Sequence, residues 1–365
     1  MAAFIHAIET SIPSFVASQD EIADFMVRHL ELDRRAERKL RVLYRASGIQ
    51  KRYSVLEDFS KNLNGKSFFK EDAKFPSAKP RMVLYQQHAI GLAKDAALAA
   101  VKSSNARLED ITHLICVSCT GMYAPGLDIE LIEHLGLKTS TQRTSINFMG
   151  CYASFNALKV ASNIIHSNPD ANVLVVCVEL CSIHLQDKTD DENLLANAIF
   201  GDGAAAVVIN AVPGSRTLEL SHFYSDLALQ GKSEMGWYIG DYGFEMRLSS
   251  TVPDVIKEGI GELTQRLLSQ IDLDLDAVDF FAIHPGGKRI LEVIEEKLNI
   301  SRENNYAAHE VLRSYGNMSS PTVLFVMKKI FDDLHAEDDG KHMLSFAFGP
   351  GLTMESAVLK THIHA

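Results

Sequence analysis

Residues Ser145 to Ile165 read SINFMGCYASFNALKVASNII, and the change of pattern inside this stretch decides the fold. Before Cys151, Ile146, Phe148 and Gly150 read as the end of an extended segment. After it, Ala157, Leu158, Ala161, Ile164 and Ile165 form the stripe of an amphipathic helix that stops at Asn168-Pro169. Cys151 therefore stands at a helix start, where unpaired backbone N–H groups and the macrodipole favour an anion. This position predicts a thiol that ionises more readily than a free cysteine, whose pKa is about 8.5. The competing reading is a buried structural cysteine, since free cysteines are among the most buried residues.

Outward from this turn, the composition describes an ordinary globular enzyme: 365 residues, 46% hydrophobic and 23% charged, enough chain for a large core. The formal net charge of −11 argues against a nucleic-acid binder, which ordinarily shows a basic domain. Apolar runs such as ANVLVVCVEL are too short to span a bilayer, and MAAFIHAIETSIP lacks the pattern of a secretory signal. Five cysteines, an odd number, suit reduced thiols better than a disulfide framework, so the expectation is a cytosolic protein acting on small molecules.

The N-terminal segment predicts a short strand, a loop and a helix capped by Ser18 or Asp20. Arg34 to Tyr53 carries Arg34, Arg35, Arg38, Lys39, Arg41, Arg45, Lys51 and Arg52 against one Glu37. That cluster suits phosphates such as those of coenzyme A, or it is a solvated helix face. A polar stretch from Lys61 to Pro80 reads as a loop, followed by a helix to about Ser103. Cys116 and Cys119 have C-x2-C spacing, but no second ligand pair accompanies them, so they read as structural and no metal is expected. Gly201-Asp202-Gly203 has neither dinucleotide nor P-loop spacing. GWYIGDYGFEM reads as a Gly-rich loop, and the acids of IDLDLD as a solvated one, without the glycine and glutamate of an EF-hand.

The chain also repeats itself. ICVSCTG ends at Gly121 and FAIHPGG at Gly287, an offset of 287 − 121 = 166. The same offset carries Gly150-Cys151 onto Gly316-Asn317, and SFNALKVASNII onto SPTVLFVMKKIF. Each half alternates strands with helices, which predicts an α/β fold of mostly parallel sheets with covered faces. The equivalent loops of the halves then present Cys151, His284 and Asn317 together: a nucleophile, an imidazole and an amide donor for an oxyanion.

With NFMGCYA, IFGDGAAA, FAIHPGG, YGNMSSPTVLFV and FAFGPGLTMES spread over nearly its whole length, the chain resembles the type III polyketide synthases, the chalcone/stilbene synthase-like enzymes of the thiolase superfamily. The resemblance implies a single thiolase-like domain over 1–365, an αβαβα layered duplication with halves at approximately 1–220 and 221–365. It implies that Cys151 carries the growing acyl chain, that His284 and Asn317 activate malonyl-CoA, and that Phe200 guards the passage between coenzyme A tunnel and cavity. Glu179, Cys181, His184, Met246, Ser319, Gly349 and Pro350 become substrate-binding positions on the same ground, and Lys39 and Arg45 coenzyme A contacts. The implied substrates are an acyl-CoA starter and malonyl-CoA, with no tightly bound cofactor, in a homodimer that binds neither nucleic acid nor membrane.

Several positions depart from the plant pattern. Met246 stands where plant members usually have a second gatekeeper phenylalanine, and Cys181 and His184 follow Glu179 where plants often place threonines. Lys39 matches a coenzyme-contacting lysine, but Val42 and Ala46 replace basic residues. The Met246 and Cys181 wording resembles bacterial members and implies an aliphatic acyl starter. Three other readings compete: a ketoacyl-carrier-protein synthase of the third type, with one condensation only; a silent partner subunit, which need not keep the nucleophile; and a cysteine hydrolase, which a water-excluding tunnel disfavours.

Overall fold

The computed structural model describes residues 2–59, 67–70 and 74–364. Of the loop expected from Lys61 to Pro80, residues 61–66 and 71–73 lie outside the described residues. The first half runs β1 (Phe4–Ser11), β2 (Phe15–Ser18), α1 (Gln19–His29), α2 (Arg34–Ala46), β3 (Lys51–Ser54), α3 (Ala78–Ser103), β4 (His113–Ser118), α4 (Leu127–Leu135), β5 (Gln142–Asn147), α5 (Ala153–Ser167), β6 (Val173–Leu180), α6 (Asp191–Ile199) and β7 (Asp202–Asn210). The second runs β8 (Arg216–Leu227), β9 (Met235–Gly240), β10 (Gly243–Leu248), α7 (Val252–Ser269), β11 (Phe280–Ile283), α8 (Lys288–Leu298), α9 (Tyr306–Tyr315), α10 (Thr322–Asp332), β12 (His342–Gly349) and β13 (Thr353–Ile363).

Nine strands form one sheet in the order β11-β12-β13-β8-β1-β7-β6-β4-β5. α5 packs on β4, β5 and β6 but also on β8 and β13, while α10 packs on β1, β7 and β11. The two helices are therefore enclosed between the halves of the sheet, and α3 and α7 cover strands from outside. Small residues make the enclosure of α5 possible: Ala153, Ala157 and Ala161 are buried along with Phe155, Leu158 and Ile165. α10 achieves it with bulk instead, burying Val323, Leu324, Phe325, Val326 and Met327 in succession.

The layered α/β class holds, but the pairing is mixed. β4 is parallel to β5 and β6, and β11 to β12. The central pairs β6–β7, β7–β1, β1–β8, β8–β13 and β13–β12 are antiparallel. The alternation of strands and helices predicts mostly parallel pairing, in which a connection between parallel neighbours has to cross the sheet. The links from β6 to β7 and from β12 to β13 instead turn back at one end. Both returns carry functional motifs, α6 with Phe200 in one and Gly349-Pro350-Gly351 in the other.

Local signals behaved as the residues dictate. Ser18 caps α1 in a reciprocal capping box with Glu21, and Asp33 caps α2 by accepting from the Arg35 and Ala36 amides. GWYIGDYGFEM is not a loop: its residues pair as the hairpin β9–β10, from Gly236 opposite Arg247 to Gly240 opposite Gly243. Its glycines hid an alternating strand pattern. Gly243, at φ +100°, makes the turn, and a Cβ there would lie 2.7 Å from the Arg81 side chain.

Candidate active site

Two turns build the site, one before α5 and one before α10. In the first, Phe148 and Gly150 adopt φ of +60° and +83°, bending the chain so that Cys151 falls just ahead of Tyr152, the N-cap of α5. A Cβ on Gly150 would stand 2.7 Å from Pro350 Cδ, and one on Gly349 2.5 Å from the Tyr152 ring. The Gly349-Pro350 corner after β12 thus packs against the nucleophile's turn. In the second, Gly316 (φ +71°) and Ser319 (φ +58°) flank Asn317. The Asn317 amide donates to Ile199 O and its carbonyl accepts from Gly201 N, both at 2.9 Å. That clamp fixes Asn317 beside Phe200, the residue that ends α6.

The Asn317 side chain has a determined orientation. Its Oδ1 accepts from Ser319 N at 2.8 Å, so Nδ2 is the group that faces Gly286 O at 3.4 Å, and the Cys151 sulfur lies against both amide atoms, 3.8 Å from Nδ2 and 3.9 Å from Oδ1. His284 follows β11, donates its amide to Phe346 O at 2.8 Å and is 1% exposed. Both its ring nitrogens are buried without a hydrogen-bond partner, an arrangement that proteins retain where a group must serve a transient partner. Gly286, two residues on, links it to Asn317.

Electrostatics correct one expectation. Burial pushes the Cys151 thiol up to about 11, against the smaller opposing effects of Ser319 and Asn317. Burial likewise pushes His284 down to about 3. The resting pair is a neutral thiol and a neutral imidazole: Cys151 does stand at the helix start, but loss of solvent outweighs the helix terminus.

Cys151 opens onto a cavity of about 890 Å³ including its mouth, whose wall includes Phe200, Met246, Cys181, His184, Ser319 and Pro350. Glu179 does not line it. That carboxylate is fully buried behind the wall, where it accepts from Cys119 N, Thr120 N and the hydroxyls of Thr120 and Ser320. The substrate-binding role expected for Glu179 is therefore corrected to one of holding the wall, because a buried carboxylate needs donors on every side. Gly349 acts through Tyr152 rather than on the wall. Asn317, 3.8 Å from the sulfur, and His284 also lie off it.

His184 presents only a ring face. Its Nδ1 accepts from Phe244 N at 2.8 Å, which makes Nε2 the donor to Thr120 O at 2.7 Å, and the ring stacks on Phe244 at 4.4 Å. Burial takes it down to about 3. Cys119, read as structural, shares the wall with Cys151 and lies 3.3 Å from Ser319 Oγ. All five cysteines are free and buried. No cluster of metal-ligating side chains occurs among the described residues.

Lys39 pairs with Asp191 in the first turn of α6, so the basic face of α2 borders the helix that carries Asn193, Asn197 and Phe200 to the wall. Arg45 is exposed on the same helix. Sequence reasoning missed Arg52, Ser54, Ile22, Phe59, Trp237 and Phe244, all on the wall. Trp237 and Phe244 were concealed by reading the hairpin as a loop. Arg52 and Ser54, two apart on β3, share one face of a strand, but a four-residue strand is too short to show that period.

The family model for the N-terminal domain of chalcone and stilbene synthases matches residues 1–213, and the model for their C-terminal domain matches 223–363. Among curated relatives, the alpha-pyrone synthesis polyketide synthase-like Pks18 of Mycobacterium tuberculosis is 32% identical over 97% of this chain and 90% of its own. The type III polyketide synthase C of Arabidopsis thaliana is 30% identical over 98% and 95%. Among solved structures, PKS-I of the brown alga Ectocarpus siliculosus superposes with a TM-score of 0.93 at 31% identity, covering 98% of both chains. The 1,3,6,8-tetrahydroxynaphthalene synthase of Streptomyces coelicolor, a bacterial type III polyketide synthase, gives 0.89 at 26% identity over 99% of this chain and all of that one. With Cys151 and the Asn317 amide brought together by two turns, and the two family models together matching residues 1–213 and 223–363, this chain belongs to the chalcone and stilbene synthases and is a type III polyketide synthase.

Proposed function

We propose that this acyltransferase loads an acyl group from an acyl-CoA starter onto Cys151 and extends it with malonyl-CoA, Asn317 and His284 acting on the extender. The observation that carries the reading is the 3.8 Å approach of Asn317 Nδ2 to the Cys151 sulfur. A donor that close to the thioester position serves an oxyanion formed there. Because thiol and imidazole rest neutral, the proton leaves sulfur during acyl transfer itself: the S–acyl bond forms, the bond to coenzyme A sulfur breaks, and that sulfur takes the proton by way of His284. In extension, the bond to the malonyl carboxylate breaks, its electrons give an enolate, and N–H donors of Asn317 and His284 stabilise the oxygen. The enolate carbon then attacks the Cys151 thioester, the acyl–sulfur bond breaks and the Cys151 sulfur leaves as a thiolate that takes up a proton; the extended chain, now on the coenzyme A of the extender, returns to Cys151 for another round or cyclises, releasing the thiol that carried it. A ketoacyl-carrier-protein synthase of the third type and a silent partner subunit are not favoured by the family matches.

The wall supports an aliphatic starter. Ile22, Phe59, Ala196, Phe200 and Met246 present hydrocarbon and aromatic surface. Coenzyme A, bound as substrate and not as a resident cofactor, would meet Lys39 and Arg45 beside the mouth. The mirrored order of β4, β6, β7 and β1 against β11, β12, β13 and β8 supports a duplication within one domain, with β8 opening the second half. A homodimer is supported by β5, an edge strand whose residues are mostly exposed, since such an edge offers its ladder to another chain. No helix among the described residues is long and apolar enough to cross a membrane, and free buried thiols suit the reducing cytosol. Incubation with malonyl-CoA and a panel of acyl-CoAs, with product masses as readout, tests the reading. One adduct on Cys151 and extended, cyclised products are expected; an adduct on Cys119 or Cys181 would overturn the assignment.

A further inference from the structure

Among the polar groups of the cavity wall away from Cys151, which include Arg52, Asn193 and Asn197, two serines are backed by a buried carboxylate. Asp202 is fully buried. Its Oδ1 accepts from Ser182 N at 2.7 Å, and its Oδ2 from Val55 N at 2.9 Å and Ser182 Oγ at 2.6 Å. Ser182 Oγ in turn lies 2.7 Å from Ser54 Oγ, and Ser54 Oγ accepts from Leu56 N at 2.9 Å. Both serines line the cavity.

Hydrogen accounting fixes the direction of this chain. A carboxylate only accepts, so the Ser182 hydrogen goes to Asp202, and the Ser54 hydrogen is then directed inward to Ser182. Each hydroxyl has given up its one hydrogen and keeps a lone pair. Burial raises Asp202 to about 6, which still leaves it ionised at neutral pH. The two hydroxyls of Ser54 and Ser182 are consequently acceptors with no hydrogen to offer.

We propose that the Asp202–Ser182–Ser54 chain is a specificity element that binds the O–H of an enolised β-keto chain, holding the growing polyketide as its enol and disfavouring a carbonyl at that place. A 1,3-dicarbonyl exchanges readily between keto and enol forms. Only the enol matches the two serine hydroxyls, because a ketone oxygen facing their lone pairs leaves buried polar groups unpaired, at a cost comparable to a lost hydrogen bond. The inference rests on the starter and extender chemistry proposed above and adds the tautomer that the cavity selects.

The test uses the full-length enzyme and two starters of equal chain length, a saturated acyl-CoA and the corresponding 3-oxoacyl-CoA, each with malonyl-CoA. The ratio of their kcat/KM values is measured for the wild type, Ser54→Ala and Ser182→Ala, with Ser54→Thr as the variant that keeps the hydroxyl. Each alanine variant is expected to lower the ratio of 3-oxoacyl to saturated starter by about three- to tenfold, the range for one hydrogen bond, and Ser54→Thr to restore it. A fold defect lowers both numbers together and leaves the ratio where it was, which counts against the proposal. An unchanged ratio in both alanine variants overturns the inference while acyl-CoA turnover stands. A wild type that loads neither thioester overturns the starter chemistry and the inference with it.

Discussion

The turn before α5 and the turn before α10 occupy equivalent places in the two halves, yet they are built to opposite ends. Around Asn317 nearly every polar atom is committed: backbone to Ile199 and Gly201, Oδ1 to Ser319 and Thr322, Nδ2 to Gly286. Around Cys151 the sulfur makes only long approaches to the Asn317 amide, 3.8 and 3.9 Å, besides the influence of Ser319, and the turn is held by packing of Gly150 and Tyr152 against Gly349-Pro350. One turn holds a rigid amide donor and the other a loosely bonded thiol, the nucleophile of the proposed function. The difference suits chemistry in which the oxyanion site must not move and the thioester must.

Exchanging the roles gives the largest effect. Cys151→Ala should abolish product and acyl adduct yet still release carbon dioxide from malonyl-CoA, because enolate stabilisation requires donors and no bond to sulfur. Asn317→Ala should slow that release by about 10²–10³. The finding that would falsify this division of labour is normal decarboxylation by Asn317→Ala together with none by Cys151→Ala.

A second contrast is electrostatic. Burial lifts the Cys151 thiol to about 11, so the thiolate fraction grows as pH rises toward that value. Alkylation of Cys151 by iodoacetamide should climb steadily to about pH 11, and near neutrality run about two orders of magnitude below a free cysteine with pKa about 8.5. A midpoint near or under 8.5 would mean that His284 already holds the proton in the resting enzyme.

Backbone strain separates the turns from ordinary helix ends. Gly316 lies at φ +71° with ψ −158°, a region nearly confined to glycine, and a Cβ there would sit 2.7 Å from Ile199 O. Gly316→Ala should therefore cost at least about 1–3 kcal/mol and loosen the Asn317 clamp. Gly136→Ala, at φ +65° with open space around the new methyl, should cost less in denaturant unfolding and leave turnover intact. Equal losses in both would show that strain alone matters and that the clamp adds nothing.

The mildest effect belongs to the cavity rim. Met246→Phe replaces a flexible thioether with a ring and should shift preference toward shorter or slimmer starters without loss of decarboxylation. An unchanged starter profile would remove Met246 from the working wall.

Much of this molecule was written locally. Strand-to-helix patterns located α5 and α10, the 166-residue offset aligned Cys151 with Asn317, and Ser18 or Asp20 announced the first helix. These signals were legible because hydrophobic period and capping act over a few residues. What only tertiary structure decided was everything that depends on dielectric and on distant partners. The helix start promised an ionised thiol, but burial by both halves of the sheet made it neutral. Glu179, adjacent in sequence to cavity residues, turned its carboxylate away to Cys119, Thr120 and Ser320. Ser54, Ser182 and Asp202 carry no joint signature, since 128 residues separate the serines. Charge and hydrogen-bond satisfaction are summed over all neighbours in space, whereas a sequence pattern reports only neighbours along the chain.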